Sequence, residues 1–200
     1  MNRRDYIKNT ALIIGYAVSA GALSEAFVAC KSERELKLNW EPSFLTKPQA
    51  QTLAEMTETI LPKTSTPGAK DIGVAQYIDK VLKDLLSEAE RNDFIRGLEL
   101  LEDICKTNYG RYFEECTQEQ REQILLKMDR DAAKFPPTMW GIVLVENPDP
   151  ITFYRRLKAL TLTAYFKSEK IGKEVLSYDP IPGVFIGCMP YTGQNVWSGE

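Results

Sequence analysis

The side chains that carry most protein chemistry are scarce in this chain. Its 200 residues include four cysteines and no histidine, which excludes imidazole-ligated haem, zinc and copper and any Ser-His or Cys-His nucleophile pair. The cysteines are too scattered for a CxxC metal site or an iron–sulfur motif. The glycine-rich loops that hold nucleotide phosphates, GxGxxG and GxxxxGK[ST], are also missing. We therefore predict that the chain binds no redox cofactor or metal of its own.

Three cysteines could form one disulfide in an oxidising compartment, leaving one thiol over. They are Cys105, Cys116 and Cys188. Cys105 falls on the apolar stripe of a predicted helix, where it could be a small buried hydrophobe or could pair with Cys116 across the next loop. Cys188 falls in a tail rich in proline and glycine, where a bridge would be more useful. The sequence leaves the pairing open.

Carboxylates could support a different chemistry. Asp71, Asp79 or Glu169 could act as a general acid or base. Carboxylates on soluble helices are usually solvated, however, and no pair here has a persuasive catalytic setting. An enzyme in its own right is therefore our least favoured hypothesis.

The chain begins with the features of an export signal. Arg3 and Arg4 start the sequence RRDYIK, which is typical of twin-arginine signals. The weakly apolar stretch 9–24 that follows is shorter than the about 20 apolar residues of a membrane span. The sequence FVAC, residues 27–30, resembles a bacterial lipobox and predicts lipidation of Cys30. Cleavage without lipid and retention as an anchor are the alternatives.

This signal predicts a location in the periplasm or cell envelope, with the protein held on a membrane surface by lipid. It divides the chain into an export signal (1–29), a charged tether (30–45) and one globular domain (46–200). The twin-arginine route carries folded proteins, which suggests that a cofactor-loaded companion travels with this chain. The net charge of −3 disfavours nucleic acid as a partner, because phosphate binding needs a basic surface.

The pattern of the domain predicts an all-α fold, a single compact multi-helix domain with an irregular C-terminal tail. Capping boxes predict three helix starts, at Thr46 with Gln49, Ser87 with Glu90, and Thr117 with Gln120. Apolar residues at helical spacing from Val74 to Leu86 predict a core helix with one wide buried stripe. Asp149 and Pro150 predict the start of a fifth helix, and a short amphipathic turn or helix is expected over 169–176. Residues 140–146 remain ambiguous.

The tail, 177–200, is rich in proline, glycine and aromatic residues, so it cannot be helical. Its aromatic side chains either fold back on the parent core or contact a partner. We place Tyr191 and Trp197 as candidate partner contacts, because aromatic anchors are enriched at interfaces.

Two blocks of sequence resemble the small subunit (subunit 3) family of gluconate 2-dehydrogenase. The first is ILPKTSTPGAKDIGVAQYIDKVL, residues 60–82, and the second is FYRRLKALTLTAYFKSEKIGKEVLSYDPIPGVFIGC, residues 153–188. Neither block is a catalytic motif. Structural roles are the first interpretation of their residues: Pro67-Gly68 as a turn, and Asp79 as the partner of a basic group. The resemblance also leaves room for Ser168 and Glu169 to touch a large subunit.

The resemblance implies an all-α, non-catalytic accessory subunit. Such a subunit would bind, stabilise and help to export a FAD-dependent dehydrogenase of the glucose–methanol–choline type, acting on sugars, sugar acids or polyols. FAD is expected in that partner, and a cytochrome c subunit often completes such assemblies. The alternative is a free-standing envelope lipoprotein that binds glycans or other envelope components.

Overall fold

The computed structural model describes residues 34–132, 138–139, 142–143 and 151–177, together with Gly183, Cys188, Pro190, Tyr191, Gly193, Asn195 and Val196. Outside the described residues lie Arg3, Arg4, Cys30, Asp149, Pro150 and Trp197. The chain divides into a unit of residues 1–35 and a larger unit of residues 36–200. The fold below is that of the larger unit.

Helices dominate the larger unit, so the all-α prediction is confirmed. They are α1 (Lys47–Ile60), α2 (Val74–Asp84), α3 (Glu88–Tyr109), α4 (Gln118–Asp131), α5 (Phe153–Phe166) and α6 (Glu169–Glu174). A 3-10 turn, Phe113–Glu115, lies between α3 and α4. A small antiparallel ladder pairs β1 (Thr138–Met139) with β2 (Ile142–Val143). β2 lies inside the stretch that the sequence left ambiguous, and β1 lies just before it.

All three predicted capping boxes are present. In each, the cap side chain accepts a hydrogen bond from the backbone three residues on, and the glutamine or glutamate there reaches back to the cap backbone. α3 ends at Gly110, whose φ of 65° places it in the left-handed region that glycine adopts without strain. Local capping chemistry therefore fixes the starts of α1, α3 and α4 as the sequence indicated.

The buried stripe of α2 is narrower than the sequence predicted. Val74, Ile78 and Leu82 are buried, whereas Tyr77 is 44% exposed and Leu85 is 75% exposed. The helix ends at Asp84, so Leu85 is its C-terminal cap and no longer continues the helical stripe. The prediction that all the apolar residues of this helix enter the core was therefore wrong for these two positions.

The fifth helix also begins later than predicted. Ile151 and Thr152 are not helical, and Thr152 caps a helix that starts at Phe153. The carbonyl of Thr152 accepts the first helical hydrogen bond, from the N–H of Arg156, at 3.0 Å. The predicted start at Pro150 was therefore wrong, because the extended backbone of Thr152 supplies the turn into the helix. The last helix, α6, is shorter than predicted and ends at Glu174.

The core lies where α1, α2, α3 and α5 meet. Its largest fully buried side chains include Leu53, Ile78, Phe94 and Leu157, one from each helix. α3 and α5 approach closely at Gly97, where an added Cβ would lie only 2.1 Å from Cγ of Phe153. A side chain at that position would force the two helices apart.

Candidate functional site

The first motif block forms a tight connection between α1 and α2. The Glu58 carboxylate accepts hydrogen bonds from the N–H groups of Lys63 at 3.0 Å and Lys70 at 2.8 Å. A Cβ at Gly68 would lie 2.7 Å from the backbone nitrogen of Lys63 and closer still to the Glu58 carboxylate. Glycine at this position therefore allows the loop to fold back on the end of α1.

The end of this connection is set by Gly73 and Asp71. Gly73 has a φ of 73°, a left-handed conformation that starts α2 directly afterwards. Asp71 accepts a hydrogen bond from the N–H of Gly68 at 3.2 Å and lies 3.0 Å from Nζ of Lys63. These hydrogen bonds from Lys63 and Gly68 lower the pKa of the Asp71 carboxyl below its ordinary value.

The second motif block packs against the first. The Tyr165 hydroxyl donates a hydrogen bond to the carbonyl of Pro67 at 2.8 Å, which joins α5 to the first block. Ser168 donates to the carbonyl of Tyr165 at 2.7 Å and accepts from the N–H of Ile171, so it caps α6. Two stretches whose linked residues are 98 positions apart in sequence thus form one surface.

That surface contains an open depression, which we call the charged groove. It has a volume of about 790 Å³. Its lining combines the end of the first connection with α6 and consists of Asn39, Lys70, Asp71, Ile72, Gly73, Gln76, Ser168, Glu169, Lys170, Lys173 and Glu174. A neighbouring cleft of about 340 Å³ shares Lys70, Gly73 and Gln76 with it and adds Trp40 and Glu55.

Ion pairs between carboxylates and basic side chains lie at and beside the groove. Glu55 bridges two basic groups, at 2.5 Å from Nζ of Lys70 and 2.6 Å from the Arg121 guanidinium. Glu169 lies 2.7 Å from Nζ of Lys173, which lowers the pKa of the Glu169 carboxyl. A surface of interspersed, exposed charges can select a complementary protein surface, since such charges govern orientation and association rate.

The structure brings together only some of the predicted site residues. Ser168 and Glu169 both line the charged groove, Ser168 as a helix cap and Glu169 with its side chain 79% exposed. Tyr191 is 81% exposed. Its predicted companion Trp197 lies outside the described residues, so their joint role stays a prediction.

Beyond Tyr191, the tail forms hydrogen bonds with the residues that follow α6. The N–H of Ser177 donates to the carbonyl of Val196 at 2.9 Å, and the Asn195 side chain donates to the carbonyl of Val175 at 2.6 Å. These bonds attach the tail directly after α6, the helix that forms one rim of the charged groove.

Asp79 has a different role from the one that the sequence suggested. Its side chain is 1% exposed, and its partners are three backbone N–H groups and one hydroxyl rather than a basic side chain. The carboxylate accepts from Ser43 N at 2.6 Å, Ser43 Oγ at 2.7 Å, Phe44 N at 3.2 Å and Leu45 N at 2.8 Å. Asp79 therefore fixes the segment that leads into α1. The sequence alone gave no signal for partners more than thirty positions away.

The three candidate catalytic carboxylates do not form one site. Asp79 is buried and satisfied, whereas Asp71 and Glu169 line the groove. The carboxyls of Asp71 and Glu169 have lowered pKa values because each is bonded to a lysine. A general acid or base near neutral pH needs a pKa close to 7, so this arrangement does not favour acid–base catalysis.

Among the residues that the structure describes, no group of three or more cysteine, aspartate, glutamate or histidine side chains is arranged to hold a metal ion. No helix in the same part of the chain is both long enough and apolar enough to cross a bilayer.

The cysteines occupy contrasting environments. Cys105 on α3 and Cys116 after the 3-10 turn are buried, whereas Cys188 in the tail is exposed. Cys105 and Cys116 belong to the same hydrophobic core, and the Phe113 N–H donates to the Glu102 carboxylate at 3.4 Å between the segments that contain them. Of the pairings that the sequence left open, the structure thus buries both members of this one.

The family model described as gluconate 2-dehydrogenase subunit 3 matches residues 47–183, which extend from α1 into the tail and include both walls of the charged groove. No curated protein and no solved structure matches the chain.

Proposed function

The chain belongs to the gluconate 2-dehydrogenase subunit 3 family, and from that premise we propose that it binds and stabilises a FAD-dependent dehydrogenase of the glucose–methanol–choline type. The partner would oxidise a sugar, a sugar acid or a polyol. In this proposal the present chain supplies no catalytic group, and FAD resides in the partner. Membership of a dehydrogenase complex follows from the family, whereas the flavin, the partner type and the export role are our proposal.

The charged groove is the observation that carries this proposal. The family match covers both the loop around Asp71 and the helix around Glu169, and these two parts meet only in the folded chain. Their contact rests on a specific hydrogen bond between Tyr165 and Pro67. Because the exposed lysines and glutamates there lack a catalytic arrangement, we assign the groove to contact with the large subunit.

The first residues supply the export part of the proposal. Arg3 and Arg4 would direct the folded complex to the twin-arginine route, and Cys30 would hold it on the envelope membrane through lipid. Substituting both arginines with lysine should retain this chain and its flavoprotein partner together in the cytoplasm. Export of the partner in that variant would contradict a shared signal.

Charge reversal on the groove rim tests the docking surface. Lys170 is exposed, lines the groove and acts electrostatically on Asp71. We expect Lys170→Glu to weaken association with the large subunit by about tenfold, equivalent to about 1.4 kcal/mol. Binding would be measured by titrating a tagged chain against the isolated flavoprotein subunit.

Lys80→Glu is the matched control, because Lys80 is an exposed lysine of α2 that does not line the groove. It should bind the partner as the wild type does, while both variants keep the wild-type helical content. Equal weakening by the two substitutions would show that total charge, rather than the charged groove, governs association.

A further inference from the structure

Two buried thiols, Cys105 and Cys116, have no role in the proposed function. Cys105 is in the last part of α3 and is 0% exposed, and Cys116 caps the 3-10 turn and is 4% exposed. Both belong to the main hydrophobic core. We propose that Cys105 and Cys116 form an intramolecular disulfide when the chain meets a disulfide oxidant, and that Cys188 stays outside this bridge.

The shared burial of the two thiols is the first support. Both side chains belong to one core cluster, and Cys116 Sγ donates a hydrogen bond to the carbonyl of Tyr112 at 3.4 Å. A sulfur–sulfur bond of about 2.05 Å would join the end of the 3-10 turn to α3 at this buried position. Cys188, in contrast, is an exposed tail residue.

The surroundings hold the 3-10 turn against α3 in the reduced state as well. Glu102, one turn before Cys105, accepts hydrogen bonds from the N–H of Phe113 at 3.4 Å and from the Thr52 hydroxyl. Phe113 itself is fully buried. The turn is thus positioned against α3 without a covalent bond.

The two thiols differ in pKa and in exposure, and this difference determines which thiol reacts first. Burial raises the pKa of the Cys105 thiol to about 12, with Cys116 and Glu102 adding to the effect. Burial also raises the pKa of the Cys116 thiol, but its hydrogen bond with Cys105 and the nearby Arg111 and Arg121 oppose the rise. Cys116 is also the more exposed residue of the two. It therefore reacts first, and Cys105 resolves.

With oxidised glutathione as the oxidant, the reaction has two exchange steps. The Cys116 thiolate attacks one sulfur of oxidised glutathione, forms a mixed disulfide and releases one glutathione thiolate. The Cys105 thiolate then attacks the Cys116 sulfur and releases the second glutathione. The protein loses two protons and two electrons, and oxidised glutathione becomes two reduced glutathione molecules.

Peptide mapping tests the bridge directly, because trypsin separates the two cysteines at Lys106 and Arg111. The purified full chain would be equilibrated with oxidised glutathione in two ways, once folded and once during refolding from denaturant. After an acid quench and labelling with N-ethylmaleimide under denaturing conditions, the linked peptides 97–106 and 112–121 are expected. They should separate on reduction with dithiothreitol.

Two variants serve as controls. Cys188→Ser keeps the buried pair and should still give the linked peptides, whereas Cys116→Ser should lose them. Refolding in the oxidant removes the protection that burial gives the folded pair, so a bridge found in either arm supports the proposal. Complete labelling of both Cys105 and Cys116 in both arms, or a bridge that joins Cys188 to either of them, would overturn it.

Discussion

The charged groove and the buried polar sites of this domain place reactive groups in opposite environments. In the groove, Asp71 and Glu169 are exposed enough to pair with lysines at the surface. In the interior, Asp79 and the Cys105–Cys116 pair are almost completely shielded from solvent. Exposed ion pairs contribute little to stability, whereas a buried polar group that loses its partner is costly.

This difference predicts that the two regions respond separately to substitution. Changes at interior polar sites should alter folding stability, and changes on the groove rim should alter partner binding while leaving the fold intact. Measurements of folding stability test that separation.

Removal of the Asp79 carboxylate should have the largest effect. Asp79→Ala leaves the N–H groups of Ser43, Phe44 and Leu45 without their acceptor, and we expect it to lower the free energy of unfolding by about 3 kcal/mol. Urea denaturation followed by circular dichroism would measure the loss. Asp103→Ala, an exposed position on α3, is the control and should change stability by less than about 0.5 kcal/mol.

Oxidation of the thiol pair should act in the opposite direction. In the Cys188→Ser variant, the oxidised protein should be more stable than the reduced one by about 3 kcal/mol, because the bridge restricts the unfolded chain. The two forms would be compared by urea denaturation without reductant and with dithiothreitol. Equal unfolding midpoints for a protein shown to be bridged would mean that the bridge strains the native core.

A substitution at the contact between α3 and α5 should have an intermediate effect on folding stability. Gly97→Ala places a methyl group against the Phe153 ring and should destabilise the domain by about 1–3 kcal/mol. Gly172→Ala is its matched control, since a Cβ there has no neighbour within 4 Å. The control should be neutral or stabilise α6 by up to about 1 kcal/mol. Thermal unfolding of the pair would distinguish a steric effect from helix propensity.

The smallest stability effect is expected at Asp71. Its pKa is lowered in the folded protein from the ordinary value of 3.8, so its contribution is present above that value and is lost as pH falls through the folded pKa. Asp71→Asn should therefore be slightly less stable than the wild type at neutral pH, and the difference should vanish in acid. A difference that persists unchanged at low pH would show that the Asp71 charge is not its source.

Local signals in the sequence predicted much of the fold. Thr46, Ser87 and Thr117 cap helices through hydrogen bonds that span only three residues, so their spacing contains the necessary information. The start of α5 was missed because the Asp-Pro pair gave a stronger local signal than Thr152, which makes no side-chain capping bond.

The candidate site was harder to predict because its parts are distant in sequence. The resemblance identified both motif blocks, but the bond between Tyr165 and Pro67 that joins them spans 98 positions. Likewise, the role of Asp79 depends on backbone N–H groups about 35 residues earlier, and residue types alone cannot specify backbone partners. The shared burial of Cys105 and Cys116 depends on the path of the 3-10 turn.

Native mass spectrometry after gentle extraction of the envelope tests the central claim most directly. The account predicts that a tagged copy of this chain is released with a larger subunit that carries FAD, and that dissociation leaves the flavin on the larger subunit. Recovery of this chain alone under those conditions, or with a stoichiometric flavin, haem or metal of its own, would contradict the account.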